Sequence, residues 1–351
     1  MSQTGMVIVN ATAVSPVGLS LAESAASARA RIARFREIEW RDRRFEPFIV
    51  ASVPDEGLPD LVPELSKHYL QYRESRLLRL AHVALQEVLQ PLAAHAIKVP
   101  LLLGMPEHHT TKPLDGNQFI RHLQQQTQAV LDVPLSMAAA NGRAVGLIGL
   151  RRAAGLLEAQ QAEFVLIGGV DSYLDLYVLG TLDMQQRLRT EVNSDGFTPG
   201  EGAAFLLVTR AETAQKYQLP VMAQIDGYAQ GHEPGHLYAD APYLGEGLAS
   251  TFSGLFAQVS DSQLVVNVYA SFNGERYWGK EFGVARLRNG RYFAENQTME
   301  HPAECFGDLG AAHGPMLAAL AVHALHKRYR SGPSLVYAAS DYGERAAVLF
   351  S

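Results

Sequence analysis

The chain of 351 residues is poor in the features that mark secreted and membrane proteins. Its single cysteine, Cys305, excludes an intrachain disulfide and a structural zinc site built on several thiolates. No apolar run approaches the ~18 residues that a membrane-spanning helix needs. Residues 1–6 also lack the basic and apolar segments of a secretory signal. We therefore expect a cytoplasmic protein without a membrane span.

Clusters of positive charge and nucleotide-binding motifs are equally scarce. The net charge is −6, and the most basic short stretch, RDRR at residues 41–44, contains an aspartate. This composition argues against a nucleic-acid partner. Neither the phosphate-binding GxxxxGK[ST] pattern nor GxGxxG occurs, so the sequence predicts no nucleotide and no other cofactor.

The 12 histidines do not follow a metal-binding pattern. His108 and His109 have no acid or thiol at ligand spacing, and a proline-glycine pair between His232 and His236 argues against a helix that would align their rings. Four others are scattered around the last predicted helix: His301, His313, His323 and His326. We expect no metal site.

Strand-like and helix-like segments alternate along the chain. Apolar runs predict strands at residues 6–11, 99–104 and 164–170, and helical spacing predicts helices at residues 20–34, 74–92 and 118–130. Residues 37–66, interrupted by prolines, are predicted to be irregular. The uninterrupted apolar run at residues 164–170 is typical of a strand buried on both faces. This alternation predicts an α/β fold with mainly parallel central strands.

The second part of the chain repeats this plan. Strands are predicted at residues 221–228, 263–269, 334–339 and 346–350. The small residues that open a helix at 138–146 have a counterpart at 307–314. We infer a duplication, with one half at residues 1–212 and the other at residues 213–351.

Four segments carry a family resemblance. They read VIVNATAVSPVG at residues 7–18, GGVDS at 168–172, DGFTPGEGAA at 195–204 and FGDLGAAHG at 306–314. Taken in this order, they resemble the β-ketoacyl synthases of the thiolase superfamily, and the run at 195–204 is the most specific of them. The resemblance implies a thiolase-like five-layered α-β-α-β-α fold of two pseudo-duplicated halves, usually assembled as an obligate homodimer.

The resemblance also identifies three positions at which catalytic residues are expected. In active members a cysteine at a helix N-terminus is acylated, and two histidines promote decarboxylation. Here those positions fall on Ala138, Asn273 and Asp308. A methyl group forms no thioester, an amide does not shuttle protons near neutral pH, and a carboxylate opposes an oxyanion. We therefore expect that the Cys-His-His triad, and with it the condensing activity, is lost.

A residual pocket is expected at the same place, built from these side chains: Ser136, Asn273, Glu275, Arg276, Cys305 and Asp308. Ser136 is an alternative hydroxyl nucleophile, and Cys305 a displaced thiol nucleophile. In the structural alternative, Asn273 and Asp308 cap turns and Cys305 is an inert buried residue.

Three functions remain open from the sequence. The first is a non-catalytic partner or adaptor of an active synthase subunit, an acyl carrier protein or a type VI secretion effector. The last option follows from NGER at residues 273–276, which resembles synthase-like proteins that accompany such effectors. The second is an acyl-thioester-processing enzyme, similar to a 3-oxoacyl-ACP synthase but acting as a decarboxylase or hydrolase with altered residues. The third is a binding module that retains an acyl chain or pantetheine.

Overall fold

A computed structural model describes residues 5–108, 113–260 and 263–351. The elements up to residue 216 are β1 (Met6–Val14), α1 (Leu21–Arg29), β2 (Arg36–Arg41), β3 (Pro47–Val50), α2 (Pro63–Ser66), α3 (Tyr72–Leu89), β4 (Leu101–Gly104), α4 (Gly116–Thr127), β5 (Met137–Ala139), α5 (Val145–Glu158), β6 (Phe164–Ser172), α6 (Leu176–Met184), β7 (Glu201–Arg210) and α7 (Ala211–Lys216). The later elements are β8 (Ala223–His232), α8 (Glu246–Phe256), β9 (Val265–Ala270), α9 (Arg276–Arg288), β10 (Phe293–Glu300), α10 (Ala303–Phe306), α11 (His313–His326), β11 (Ser334–Ala339) and β12 (Glu344–Phe350).

The main sheet consists of two five-stranded parts with the same internal order. The first is β5-β4-β6-β7-β1 and the second is β10-β9-β11-β12-β8. In each part the first three strands are parallel to one another, and the fourth strand is antiparallel to both of its neighbours. The parts join between β1 and β8 through only two residue pairs, Val7 with Gln224 and Ile8 with Ala223.

The helices complete five layers. α5 and α11 pack between the two parts of the sheet, α3 and α4 cover the outer face of the first part, and α8 and α9 cover the second. Nearly every residue of α11 is buried, as a helix enclosed by two sheets requires. The predicted α-β-α-β-α arrangement is therefore confirmed.

Glycines allow the central layer to approach the sheet closely. A Cβ on Gly146 of α5 would lie 2.3 Å from Cγ of Pro315 in α11, and one on Gly169 of β6 would lie 2.1 Å from the carbonyl oxygen of Ala311. Only glycine permits such contacts. They fix the starts of α5 and α11 beside each other, and the candidate site lies at these starts.

Several elements differ from the prediction. The expectation that residues 37–66 are irregular is wrong for the hairpin of β2 and β3, because the prolines within this segment lie at the first residue of β3 or beyond it. Helices α6, α8 and α9 and strand β10 were not predicted either. The expected division between residues 212 and 213 falls inside α7, and as a statement about two structural units it stays a prediction.

Candidate functional site

The two positions at which histidines were expected contact each other. Asn273 follows β9, and Asp308 lies between α10 and α11. The Nδ2 of Asn273 donates a hydrogen bond to Oδ2 of Asp308 at 2.9 Å. Asp308 has no exposed surface, and Asn273 is 8% exposed. The fold therefore brings these two predicted site residues together in the interior.

Both side chains also cap turns, as the structural alternative states. Oδ1 of Asn273 accepts the backbone N–H of Glu275 at 3.1 Å. Oδ1 of Asp308 accepts the backbone N–H of Gly310 at 2.9 Å. These are the short-range hydrogen bonds for which Asn and Asp are favoured in turns. Each residue thus has a local structural role in addition to the contact between them.

An arginine in the turn that leads into α5 also binds Asp308. Arg143 is 2% exposed and donates to Oδ2 of Asp308 at 2.6 Å and to the carbonyl oxygen of Ala339 at 2.9 Å. Its other terminal nitrogen pairs with Asp341, in the loop between β11 and β12. The guanidinium carbon lies 4.4 Å from the ring centroid of Trp278, a cation-π distance.

A second buried arginine extends the cluster. Arg187 binds both carboxylate oxygens of Glu275, at 2.7 and 2.8 Å, and Oδ2 of Asp341 at 2.5 Å. Trp278 donates its ring N–H to Glu275 at 3.0 Å. We call the set the buried charge network; its members are Arg143, Arg187, Asn273, Glu275, Asp308 and Asp341. Such charge-assisted, partly bidentate bonds hold all these groups in fixed positions.

The arginines and carboxylates of the network stabilise one another's charged forms. Burial raises the pKa of Asp308, but Arg143, His313 and Asn273 together outweigh it, so the pKa lies well below its ordinary value. Burial lowers the pKa of Arg143, but Asp308 and Asp341 raise it to a net value above the ordinary one. The pKa of Asp341 is also lowered, because the two arginines overcome its burial. These three groups are therefore charged at neutral pH.

Glu107 covers the turn before α5. A Cβ on Gly142, whose φ is +71°, would lie 2.2 Å from Oε1 of Glu107. Burial raises the pKa of Glu107 well above its ordinary value; Asp341 raises it further, whereas Arg143 lowers it. These surroundings therefore favour the protonated form of Glu107. Together with Ala138, Glu107 lines a surface cleft of about 440 Å³.

The structure places Ala138 in a strand. Its backbone pairs with Leu103 of β4, and the residue immediately before the turn that leads into α5 is Asn141. Nδ2 of Asn141 donates to Oε1 of Glu344 at 3.1 Å. Residues 136–146 contain neither cysteine nor histidine. No thiol or imidazole is therefore presented by the segment that leads into α5.

Three other predicted pocket residues lie outside the network. Ser136 uses its hydroxyl on the backbone, donating to the carbonyl oxygen of Asp132 at 2.6 Å and accepting from the N–H of Leu101 at 2.8 Å. Arg276 lies on the surface with its side chain 75% exposed, paired with Asp195 at 2.9 Å. Cys305 is buried in the core, where burial and the neighbouring Glu304 raise the pKa of its thiol to about 11.

The run at residues 195–204 packs against both positions at which histidines were expected. The backbone N–H of Gly200 donates to the carbonyl oxygen of Asp308 at 2.8 Å. A Cβ on Gly274 would lie 2.8 Å from the carbonyl oxygen of Gly196. The glycines that make this run distinctive in the sequence therefore permit backbone-to-backbone packing around the network.

Sequence reasoning missed the arginines and one histidine. Nδ1 of His313, the first residue of α11, lies 3.5 Å from Oδ1 of Asp308, and both side chains are wholly buried. The available signal for Arg143 was a lone arginine among the small residues that open a helix. Arg187 and Asp341 carry no comparable sequence signal, because they lie in loops that are far apart along the chain and meet only in the folded protein.

The described residues contain no group of three or more His, Cys, Asp or Glu side chains arranged to hold a metal ion. His109 lies outside the described residues. Within that same part of the chain, no helix combines the length and apolar character needed to cross a membrane.

Comparison with known proteins identifies the fold. The ketosynthase from module 6 of the bacillaene synthase of Bacillus subtilis 168 superposes with a TM-score of 0.82 at 12% identity, over 98% of this chain and 71% of that one. A type II polyketide synthase acyl carrier protein in complex with its ketosynthase bound to the hexaketide (AntDE:AntF) gives 0.80 at 15% identity, over 98% of each chain. The ishigamide ketosynthase/chain length factor gives 0.76 at 14% identity, over 99% and 98%.

No protein-family model and no curated protein matches the sequence. At these identities the structural likeness establishes the fold alone. The chain has the thiolase-like fold of ketosynthases, as predicted.

Proposed function

We propose that this chain is a non-catalytic ketosynthase-like protein that acts as a partner or adaptor of another protein. One observation carries the proposal: Asn273 and Asp308, at the two histidine positions, are hydrogen-bonded to each other inside a network of buried ion pairs. In such a network neither side chain faces a substrate, and neither transfers a proton near neutral pH.

The second argument is that neither candidate nucleophile is suited to form a thioester intermediate. A thioester intermediate requires a thiolate or an activated hydroxyl. Ser136 is bound to backbone groups, and the raised pKa of Cys305 keeps its thiol protonated. Neither meets that requirement.

Turnover and acylation assays test this proposal. The protein is incubated with malonyl- and acetyl-pantetheine thioesters, and both protein mass and products are followed by mass spectrometry. We expect no acyl adduct and no decarboxylation or hydrolysis above the rate without protein. Turnover that Asn273→Ala abolishes would overturn the proposal.

The alternative is an acyl-thioester decarboxylase or hydrolase. The observation in its favour is the contact of His313 with Asp308, a carboxylate-imidazole pair. Both side chains have 0% exposed surface, however, so no thioester reaches them without rearrangement of the network. The same assay with His313→Gln distinguishes the alternative, because only an enzyme loses turnover.

For the partner we propose three classes: an acyl carrier protein, an active synthase subunit or a type VI secretion effector. An acyl carrier protein is bound to a ketosynthase in one of the structural neighbours, and this supports the first class. The effector class depends on the resemblance of residues 273–276. We also propose that the protein is a cytoplasmic homodimer. Cross-linking in the native host followed by mass spectrometry identifies which class is bound.

A further inference from the structure

The ends of α1 and α11 lie side by side on the protein surface. The guanidinium carbon of Arg29, the last residue of α1, stands 4.1 Å from the ring centroid of Tyr329, just beyond α11. Downstream of α1, the backbone N–H of Arg34 donates to the carbonyl oxygen of Cys305 at 3.1 Å. These contacts unite residues 29–34 and 326–329 in one surface.

This surface carries a concentration of positive charge on an acidic protein. We call it the basic face; its exposed cations are Arg29, Arg31, Arg34, Lys327 and Arg328, and the exposed His326 lies among them. In the described part of the chain none of them pairs with a carboxylate, and the nearby Glu300 is bound by Arg330. The pKa of His323 is lowered by burial and then by neighbours that include Lys327 and Arg29, which shows that these two cations lie close together. The whole chain has a net charge of −6.

The backbone of the basic face is fixed. Arg31 adopts a left-handed conformation (φ 54°) and donates to the carbonyl oxygen of Ala28 at 3.1 Å, while Ile32 donates to that of Ser27 at 2.9 Å. Arg328 closes α11 in the same way, with φ 57° and a bond to Leu325 at 3.0 Å. Preorganised cations of this kind lose little backbone entropy when they bind a ligand.

Two apolar side chains stand among these arginines. Ile32 is 56% exposed and Phe35 is 38% exposed. At a helix end of this type, the residue in the position of Ile32 usually packs back onto the helix. Here it faces solvent instead. Arginine beside exposed apolar side chains is a composition enriched at protein interfaces.

We propose that the basic face binds an acidic segment of a partner protein, in which carboxylates flank apolar side chains. The arginines offer bidentate bonds to carboxylates, and Ile32 and Phe35 offer the apolar contact. An extended anionic surface, such as a membrane or a DNA duplex, fits less well because a chain of net charge −6 is repelled from it as a whole. This inference rests on the proposed role as a protein partner and names the surface that serves it.

Binding of a defined acidic probe tests the inference. A short fluorescein-labelled peptide, in which glutamates flank two leucines, is titrated with the full chain at low and at physiological ionic strength, and anisotropy is followed. We compare wild type with Arg31→Glu/Arg34→Glu/Lys327→Glu. The control, Arg121→Glu/Arg189→Glu/Lys280→Glu, changes the same total charge at exposed sites elsewhere. Circular dichroism verifies that each variant is folded.

We expect the basic-face variant to bind the peptide at least about tenfold more weakly, with the control within about twofold of wild type. Ile32→Ser/Phe35→Ser should weaken binding without changing its salt dependence. Three results would overturn the inference: no binding by wild type, an equal loss in both triple variants, or preference for phosphatidylglycerol vesicles or a DNA duplex over the peptide. Thioester turnover is measured in a separate assay. Turnover would contradict the proposed non-catalytic function, whereas loss of peptide binding concerns only the basic face.

Discussion

Asp308 keeps a negative charge in a position that water does not reach. Its two oxygens are held by Arg143, Asn273 and the N–H of Gly310. Arg143 is equally dependent on its carboxylates. Removing one partner of such a buried pair leaves an uncompensated charge, which costs far more than the pair contributes as a whole.

Arg143→Ala is therefore expected to lower the free energy of unfolding by about 3–5 kcal/mol, because Asp308 and Asp341 lose their counter-charge. Urea unfolding followed by circular dichroism measures it. In the control, Arg276→Ala breaks a pair whose arginine side chain is 75% exposed, and we expect a change of at most ~1 kcal/mol. Should Arg143→Ala unfold the chain outright, Arg143→Met/Asp308→Asn is expected to restore folding. Equal effects of Arg143→Ala and Arg276→Ala would contradict this account.

Glu107 makes stability depend on pH in the opposite direction from Asp308. Its pKa is raised in the folded state, while in the unfolded chain a glutamate titrates near ~4.3. Above that value the unfolded chain releases the proton and the folded protein retains it, so stability falls as pH rises towards the folded pKa.

Glu107→Gln removes this titration. We expect the variant and wild type to unfold at similar temperatures near pH 4, and the variant to gain up to ~1.4 kcal/mol for each pH unit above that until the folded pKa is reached. Scanning calorimetry at a series of pH values measures the difference. Parallel curves for the two proteins would show that Glu107 is ionised in the fold.

The sequence could locate two residues of the buried charge network but not the ion pairs that they join. Asn273 and Asp308 each lie in a segment that resembles a known loop, so their positions were predictable. Their ion-pair partners were not, because Arg187 and Asp341 arrive from loops separated by more than a hundred residues of chain. Ala138 was placed by counting residues, which does not reveal where β5 ends and α5 begins.

At the scale of elements, small residues determine how strands and helices meet. Long periodic helices such as α3 and continuous apolar strands such as β6 were predictable, because burial of one or both faces dictates their patterns. The hairpin of β2 and β3 was not, since β2 is mostly exposed and β3 has only four residues. Its stability comes from packing on α6, which is a tertiary contact.

Two glycine substitutions test whether close contact between β6 and the start of α11 requires glycine. Gly169→Ala in β6 places a Cβ 2.1 Å from the carbonyl oxygen of Ala311, so we expect a loss of at least ~2 kcal/mol or failure to fold. Gly279→Ala in α9 meets nothing within 4 Å and should stabilise by about 0.5–1 kcal/mol. The urea concentrations at the unfolding midpoints of both variants and of wild type measure these changes. Similar effects of the two substitutions would refute the close-packing argument.

At the scale of the whole molecule, the buried charge network joins distant parts of the chain. Arg143 and Arg187 precede residue 212, and their carboxylate partners Glu275, Asp308 and Asp341 follow it. The location at which ketosynthase-like loops converge is thus held together by ion pairs. In the non-catalytic role that we propose, these loops are free to serve stability.

The two edges of the main sheet differ, and the difference predicts how two copies associate. β10 carries Glu295 and Glu300, charges that oppose pairing with another strand. β5 reads Met-Ala-Ala and, among the described strands, pairs only with β4; its Met137 is 50% exposed. An uncharged open edge of this kind favours pairing with a second copy across a two-fold axis.

We therefore expect wild type to sediment at about twice the 38.3 kDa of one chain. Met137→Lys should shift the protein towards the monomer, because a charge on the edge strand is desolvated when two copies pair. Asn296→Lys, on the exposed edge β10, should leave the sedimentation profile unchanged. Analytical ultracentrifugation over a range of concentrations measures both. A wild-type monomer, or a dimer that Met137→Lys leaves intact, would place association on another surface or exclude it.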